Sequence, residues 1–148
     1  MTYISNTKKR LNTNYIAVHC SATSPKQDIG AADIDKWHRQ KGWACIGYHY
    51  VIRRDGKVET GRDESVVGAH VQNFNHDSVG IVMVGGIDAT GKSENNFTPA
   101  QFNSLKTLLK DLKKRYPKAV IQGHRDFPEV HKDCPCFDVK SWVKTEKV

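Results

Sequence analysis

The sequence predicts a single domain of the mixed α/β class, in which helices flank a central mixed β-sheet. Short apolar segments that suit strands alternate with longer amphipathic segments that suit helices, as in layered α/β domains. The continuous apolar run at residues 79–84 is typical of a central strand buried on both faces. A chain of 148 residues is also long enough for one hydrophobic core. We expect residues 15–148 to form the domain and residues 1–14 to be a flexible N-terminal extension.

The first half of the chain predicts a strand, a helix and a hairpin. Apolar residues bounded by polar ones predict the strand at residues 15–19. Residues 31–40 predict a helix that has Ile34, Trp37 and His38 on one face.

The hairpin prediction rests on Asp55-Gly56, which is a strong signal for a tight turn. The residues at 48–53 and 57–60 on either side of this turn are therefore expected to pair as strands.

The clearest helix is predicted at residues 99–116. Thr98 and Gln101 form the pattern of a capping box around Pro99, and apolar residues then recur at helical spacing. A strand is predicted at residues 119–122 and a last helix, carrying Trp142, at residues 137–145.

The polar stretch at residues 62–78 has no clear periodicity. A loop of this length often lines a binding groove, so we expect it to border a functional site.

Three candidate metal ligands end or follow predicted strands. His19 ends the first strand, His124 follows the strand at residues 119–122, and Cys134 lies ten residues beyond His124. Two imidazoles and one thiolate suit one Zn²⁺ ion whose fourth position stays open to water, as in catalytic zinc sites. No His-Glu-x-x-His motif is present, so the tertiary fold must bring these ligands together.

Other interpretations of these residues remain open from spacing alone, because the chain has seven histidines and four cysteines. His19 and His124 could be ordinary strand-end residues, and Cys134 could be a small buried hydrophobe. Cys20 would point to the opposite face of a strand from His19, which favours a buried thiol. Cys136 lies two residues from Cys134 and is the alternative ligand.

A series of short motifs runs through the chain from residue 15 to residue 142. The motifs are His19-Cys20-Ser21-Ala22-Thr23, Gly42-Trp43, Gly47-Tyr48-His49-Tyr50, Arg54-Asp55-Gly56, Gly61-Arg62-Asp63-Glu64, Asn75-His76-Asp77-Ser78-Val79-Gly80, Gly85-Gly86-Ile87-Asp88, Asn96-Phe97-Thr98-Pro99-Ala100-Gln101 and Cys134-Pro135-Cys136-Phe137-Asp138. In this order they resemble the phage lysozymes of the N-acetylmuramoyl-L-alanine amidase type, relatives of the peptidoglycan recognition proteins. The resemblance implies the mixed α/β fold, a zinc amidase domain at residues 15–148, and Zn²⁺ bound by His19, His124 and Cys134.

The resemblance also implies roles for Tyr48 and Lys132, which match positions that support catalysis in these amidases. A phenol can donate a hydrogen bond to an oxyanion or orient water, and an ammonium can stabilise developing negative charge. Without the resemblance, Tyr48 would be interpreted as a packing residue and Lys132 as a solvated loop charge. His70, in the polar stretch, is expected to contact substrate, whereas His49 should point away from Tyr48 into the core.

The formal net charge of +7 does not by itself indicate a nucleic-acid partner. The basic clusters at residues 8–10 and 113–115 are short and lack a nucleic-acid-binding motif, and a basic surface also attracts an anionic cell wall. We therefore expect no direct binding to nucleic acid. No stretch approaches the ~20 apolar residues of a membrane span, so no membrane insertion is expected. We also expect a monomer.

The expected localisation is the host cytoplasm, with access to the cell wall after the membrane is permeabilised. The basic residues near the N-terminus are not followed by the apolar segment of a secretory signal.

The function that the resemblance implies is that of an endolysin. It would hydrolyse the bond between N-acetylmuramic acid and L-alanine in peptidoglycan during host lysis. Close phage relatives also bind and inhibit the phage RNA polymerase, which is therefore a second predicted partner. A non-catalytic peptidoglycan-binding module is one alternative, and the loss of a metal ligand would be its signature. A cysteine hydrolase with Cys20 or Cys134 as nucleophile is another, and it would survive metal removal.

Overall fold

The computed structural model describes residues 8–148, whose strands form one five-stranded sheet in the order β3-β2-β4-β1-β5. The strands are β1 (Tyr15–Cys20), β2 (Tyr50–Ile52), β3 (Val58–Thr60), β4 (Ser78–Met83) and β5 (Val120–Gly123). Strands β2, β4, β1 and β5 are parallel, and β3 is antiparallel to β2. The predicted mixed sheet is confirmed, as is the hairpin.

Three helices accompany the sheet: α1 (Ala31–Gln40), α2 (Pro99–Arg115) and α3 (Val139–Glu146). The predicted capping box of α2 is present. Thr98 Oγ1 accepts a hydrogen bond from the Gln101 N–H at 3.1 Å, and Gln101 Oε1 accepts one from the Thr98 N–H at 2.9 Å. Within residues 8–148, no helix combines the length and apolar character needed to cross a bilayer.

The two faces of β1 contribute to different parts of the core. Ile16, Val18 and Cys20 pack in the larger cluster together with buried residues of α2 and α3. Ala17 lies in a separate cluster on the opposite face. His19 shares the face of Ala17 by this alternation and is almost completely buried. The prediction that Cys20 is a buried thiol is confirmed.

Helix α1 is buried along only part of the predicted face. Ala31, Ile34 and His38 are buried, whereas Trp37 is 37% exposed. Successive residues of a helix are separated by about 100°, so Trp37 lies at the edge of the face that contains His38. The predicted face is therefore buried at Ile34 and His38 and exposed at Trp37.

Residues 8–14 run beside the segment that follows β3. The Val67 N–H donates to the Lys8 carbonyl at 2.8 Å, and the Arg10 N–H donates to the Ser65 carbonyl at 2.7 Å. This part of the predicted extension is therefore held against the domain. Residues 1–7, the rest of that prediction, lie outside the described residues.

Candidate active site

Strand register places two histidines side by side at one edge of the sheet. In the parallel pair of β1 and β5, Val18 lies opposite Gly123, so His19 and His124 occupy the next position along each chain. Their ring centroids are 4.5 Å apart. Functional groups commonly gather at the carboxyl ends of parallel strands, because all of these ends meet at one edge.

Cys134 reaches the same edge on a loop that contacts both strand ends. Its carbonyl accepts a hydrogen bond from the Arg125 N–H at 2.9 Å, and its Sγ accepts one from the Cys20 N–H at 3.1 Å. One donor atom from each of His19, His124 and Cys134 therefore lies within 4.8 Å of the other two. The structure thus brings together the three ligands that the sequence predicts.

The protonation states of this cluster fit a zinc site. Burial lowers the pKa of His19 well below its usual value. Burial, followed by the positive charge of Lys132, lowers the pKa of His124 to about 4. A hydrogen bond from the Cys20 side chain lowers the pKa of Cys134. Neutral imidazole and thiolate are the forms that bind Zn²⁺, and the three donor atoms that would bind it lie within 4.8 Å of one another.

Cys136, the alternative ligand, lies in different surroundings. Its Sγ is 3.2 Å from the Gly86 carbonyl and 3.9 Å from Cys20 Sγ. Within residues 8–148, the one cluster of His, Cys, Asp and Glu with metal-binding spacing contains Cys134 and not Cys136. The thiol of Cys20 is a poor nucleophile here, because its hydrogen bond with Cys134 and its burial raise its pKa far above the usual value.

Tyr48 lies against His19, one of the candidate ligands. Its ring centroid is 5.0 Å from that of His19 and 5.6 Å from that of His38. The preceding Gly47 anchors this segment, since its N–H donates to His38 Nδ1 at 2.9 Å and its carbonyl accepts from the Ala69 N–H at 3.0 Å. Burial raises the pKa of Tyr48 above its usual value, so its hydroxyl remains a hydrogen-bond donor at neutral pH.

A groove of about 580 Å³ opens beside the cluster. His124, Lys132 and Trp43 line it, together with parts of the segments at residues 69–75 and 128–131. The predicted groove-lining stretch at residues 62–78 therefore contributes to this wall. Lys132 is exposed to solvent and lines the same groove as His124, so the structure places an ammonium beside the cluster.

His70 borders the groove, but both of its ring nitrogens contact other protein groups. Nδ1 is 2.9 Å from His19 Nε2, and Nε2 is 3.2 Å from Ser78 Oγ. Contact between His70 and substrate stays a prediction. Sequence reasoning gave Ser78 no role, although Ser78 belongs to one of the family motifs and begins the strand β4.

The site combines two neutral histidines at strand ends with a readily ionised thiol from a loop and a phenol beside His19. His124 and the Lys132 ammonium line the open groove. In a mixed α/β domain, this arrangement defines a hydrolase with a candidate metal centre.

The chain belongs to the N-acetylmuramoyl-L-alanine amidase family, whose sequence profile matches residues 9–137. The predicted enzyme class, an N-acetylmuramoyl-L-alanine amidase, is thereby confirmed, and so is the predicted family.

Two curated relatives that are about half identical to this chain are phage endolysins. The chain is 51% identical over 137 residues to the endolysin of Enterobacteria phage K11, and the aligned region covers 93% of this chain and 89% of that protein. It is 50% identical over 135 residues to the endolysin of Escherichia phage T7, and the aligned region covers 91% of this chain and 88% of that protein.

Solved structures share the fold along nearly the whole chain. The amidase LysC from Clostridium intestinale URNW superposes with a TM-score of 0.83 at 29% identity and covers 100% of this chain and 94% of that one. Bumblebee PGRP-SA superposes with a TM-score of 0.74 at 22% identity and covers 95% of this chain and 87% of that one. The second likeness concerns the fold alone.

Proposed function

We propose that this protein is a zinc-dependent endolysin that hydrolyses the bond between N-acetylmuramic acid and L-alanine in peptidoglycan during host lysis. The observation that carries this proposal is the convergence of His19, His124 and Cys134 within 4.8 Å beside an open groove. The phage relatives that bear the name endolysin support the role in lysis.

His19, His124 and Cys134 would hold one Zn²⁺ ion per chain. When bound, Zn²⁺ lowers the pKa of a water ligand and polarises a carbonyl oxygen. With one thiolate ligand and two neutral ligands, the centre has a net charge of about +1. Three protein ligands leave a coordination position for water or substrate, which is the arrangement of a catalytic site.

Tyr48 and Lys132 are the proposed catalytic residues of the chain itself. The protonated hydroxyl of Tyr48, next to His19, would donate a hydrogen bond to the oxyanion that forms as the amide carbonyl is attacked. The Lys132 ammonium, on the groove wall, would stabilise the same developing negative charge. The groove would hold the glycan and peptide on either side of the amide.

The proposed site of action is the cell wall, which the protein would reach from the host cytoplasm once the membrane is permeabilised. Bacteria that express the protein should lyse when chloroform permeabilises the membrane and remain intact without it. Lysis without permeabilisation would contradict this localisation.

Inhibition of the phage RNA polymerase stays a prediction of the family resemblance. Transcription by purified phage polymerase, measured at saturating concentrations of this protein, tests it. An unchanged transcription rate would remove the polymerase as a partner.

The catalytic roles are tested with Tyr48→Phe and Lys132→Ala. Both variants should keep one zinc per chain, because neither side chain is a ligand, and should lose about 10²–10⁴-fold of their turnover on purified peptidoglycan. Tyr15→Phe and Lys140→Ala, outside the groove lining, are the matched controls and should retain activity. Zinc loss in either test variant would show that a ligand was misassigned, and undiminished turnover would contradict the catalytic role.

A further inference from the structure

A line of three polar contacts runs from the candidate ligand His19 into the protein. His19 Nε2 is 2.9 Å from His70 Nδ1, and His70 Nε2 is 3.2 Å from Ser78 Oγ. Ser78 Oγ in turn lies 2.7 Å from the carbonyl oxygen of Phe74. These contacts connect β1, the groove-lining segment at residues 69–75 and the first residue of β4.

The carbonyl at the end of this line fixes the direction of every hydrogen bond. A carbonyl oxygen only accepts, so the Ser78 hydroxyl must donate to Phe74. Ser78 Oγ is then an acceptor for His70 Nε2–H. A neutral imidazole has one N–H, which leaves His70 Nδ1 as the acceptor for His19 Nε2–H. His19 then retains a lone pair on Nδ1 alone.

The His70 ring is held in place by close packing and by its own backbone. A Cβ atom added at Gly68 would lie 2.7 Å from the His70 ring, and one added at Gly80 would lie 2.6 Å from it. The side-chain oxygen of Asn75 accepts hydrogen bonds from the backbone N–H groups of His70 at 2.8 Å and Val71 at 2.9 Å. The ring is therefore packed between two glycines on an anchored backbone.

We propose that His70 is a positioning residue that holds His19 in the tautomer with hydrogen on Nε2, so that Nδ1 is the nitrogen available to the metal. This inference rests on the proposed zinc function, because it gives His70 its role at the same centre. An outer hydrogen-bond partner of this kind fixes both the tautomer and the ring orientation of a metal-binding histidine. This role also explains why both ring nitrogens of His70 contact protein groups although His70 borders the groove.

The tautomer can be measured in the metal-free protein. Two-bond ¹H–¹⁵N correlation spectra of ¹⁵N-histidine-labelled protein at neutral pH distinguish hydrogen on Nε2 from hydrogen on Nδ1. We expect the Nε2–H form for both His19 and His70. An Nδ1–H form at His19 would overturn the inference, whatever the activity of the enzyme.

A matched pair of variants separates hydrogen bonding from packing. Asn and Leu both branch at Cγ, but Asn Oδ1 can replace the acceptor at His70 Nδ1 and Leu cannot. His70→Leu should weaken zinc affinity about 10–100-fold, whereas His70→Asn should remain within about threefold of the wild-type chain. His76→Leu, at an exposed histidine, should leave zinc affinity unchanged. Equal affinities for the Leu and Asn variants would overturn the inference.

A third variant keeps the test decisive if His70→Leu does not fold. Ser78→Ala removes the acceptor for His70 Nε2–H and leaves the His19–His70 contact in place. The spectra should then show a mixture of tautomers at His70. An unmixed Nε2–H form would show that Ser78 does not set the tautomer of His70, which contradicts the argument from the Phe74 carbonyl. Failure of the wild-type chain to bind zinc at all would overturn the proposed function, whereas the tautomer measurement on the metal-free protein decides this inference by itself.

Discussion

At the residue scale, two cysteines separated by one proline have different surroundings. Cys134 Sγ lies in the cluster with His19 and His124, whereas Cys136 Sγ contacts the Gly86 carbonyl at 3.2 Å. Spacing alone leaves both thiols as candidate ligands, whereas the family resemblance implies Cys134. The backbone contact between Arg125 and Cys134 selects one of them.

Cys134→Ser should abolish zinc binding and hydrolysis while the fold persists, because a serine hydroxyl does not replace a thiolate ligand. Cys136→Ser is the matched control, and it should retain one zinc per chain and wild-type turnover. Metal analysis of the purified variants, with circular dichroism to establish folding, gives the answer. Zinc retention by Cys134→Ser together with zinc loss by Cys136→Ser would reverse the assignment.

His49 illustrates a buried histidine with a structural role, as the sequence predicts. It is 1% exposed, its Nδ1 accepts from the Gly80 N–H at 2.9 Å, and its Nε2 is 2.8 Å from the Val66 carbonyl. Burial lowers its pKa to about 4, below the ordinary value of about 6.5 for an unfolded chain.

As the pH falls, the unfolded chain therefore takes up this proton before the folded chain does. The stability that neutral His49 contributes should be present above pH about 6.5 and should be lost between about 6.5 and 4, by up to about 3 kcal/mol. Urea unfolding of metal-free protein across this range measures the loss. His49→Asn keeps an acceptor for the Gly80 N–H but does not titrate, so its stability should depend less steeply on pH. Identical pH dependence in both proteins would refute the prediction.

The ligand residues could be predicted from their positions after apolar runs and from their motifs. The contact between His70 and Ser78 could not be predicted, because it depends on how β4 and the segment at residues 69–75 pack against β1. Hydrophobic periodicity predicts single helices and strands and does not predict how they pack together.

At the element scale, Glu64 joins parts of the chain that are distant in sequence. Its carboxylate accepts hydrogen bonds from the hydroxyls of Tyr50, at the start of β2, and Tyr116, after α2, and from the Arg115 guanidinium. Its backbone carbonyl accepts from the Arg10 side chain. Although burial opposes ionisation, these side-chain hydrogen bonds lower the pKa of Glu64.

Glu64→Gln should destabilise the fold by about 1–3 kcal/mol, because an amide leaves some of these donors without a matching acceptor. The zinc content should not change, since Glu64 is not in the metal-binding cluster. Asp111→Asn removes the other carboxylate that pairs with Arg115, on the exposed surface of α2, and should cost less than about 1 kcal/mol. Equal effects of the two substitutions on the free energy of unfolding would contradict the anchoring role of Glu64.

Most helices and strands could be predicted because each has a local signal. The α2 helix has its capping box and apolar spacing, and the hairpin has Asp55-Gly56. The exposure of Trp37 could not be predicted, because periodicity locates the centre of a helical face better than its edge.

At the scale of the whole molecule, the site depends on the packing order β4-β1-β5. This order sets His19 beside His124, although more than one hundred residues separate them in the sequence. The mixed sheet could be predicted from alternating strands and helices, but its register could not, since every parallel neighbour of β1 is distant along the chain. The family resemblance, rather than sequence spacing, therefore led to the set of three candidate ligands.

The measurement that tests the central claim most directly is the release of new amino termini from purified peptidoglycan. It should be made with the native protein, after treatment with a chelator, and after zinc is restored. The account predicts new L-alanine amino groups that disappear on chelation and return with zinc. Amino-group release that persists in fully metal-free protein would contradict zinc dependence, and release of reducing sugar ends instead would contradict amide hydrolysis.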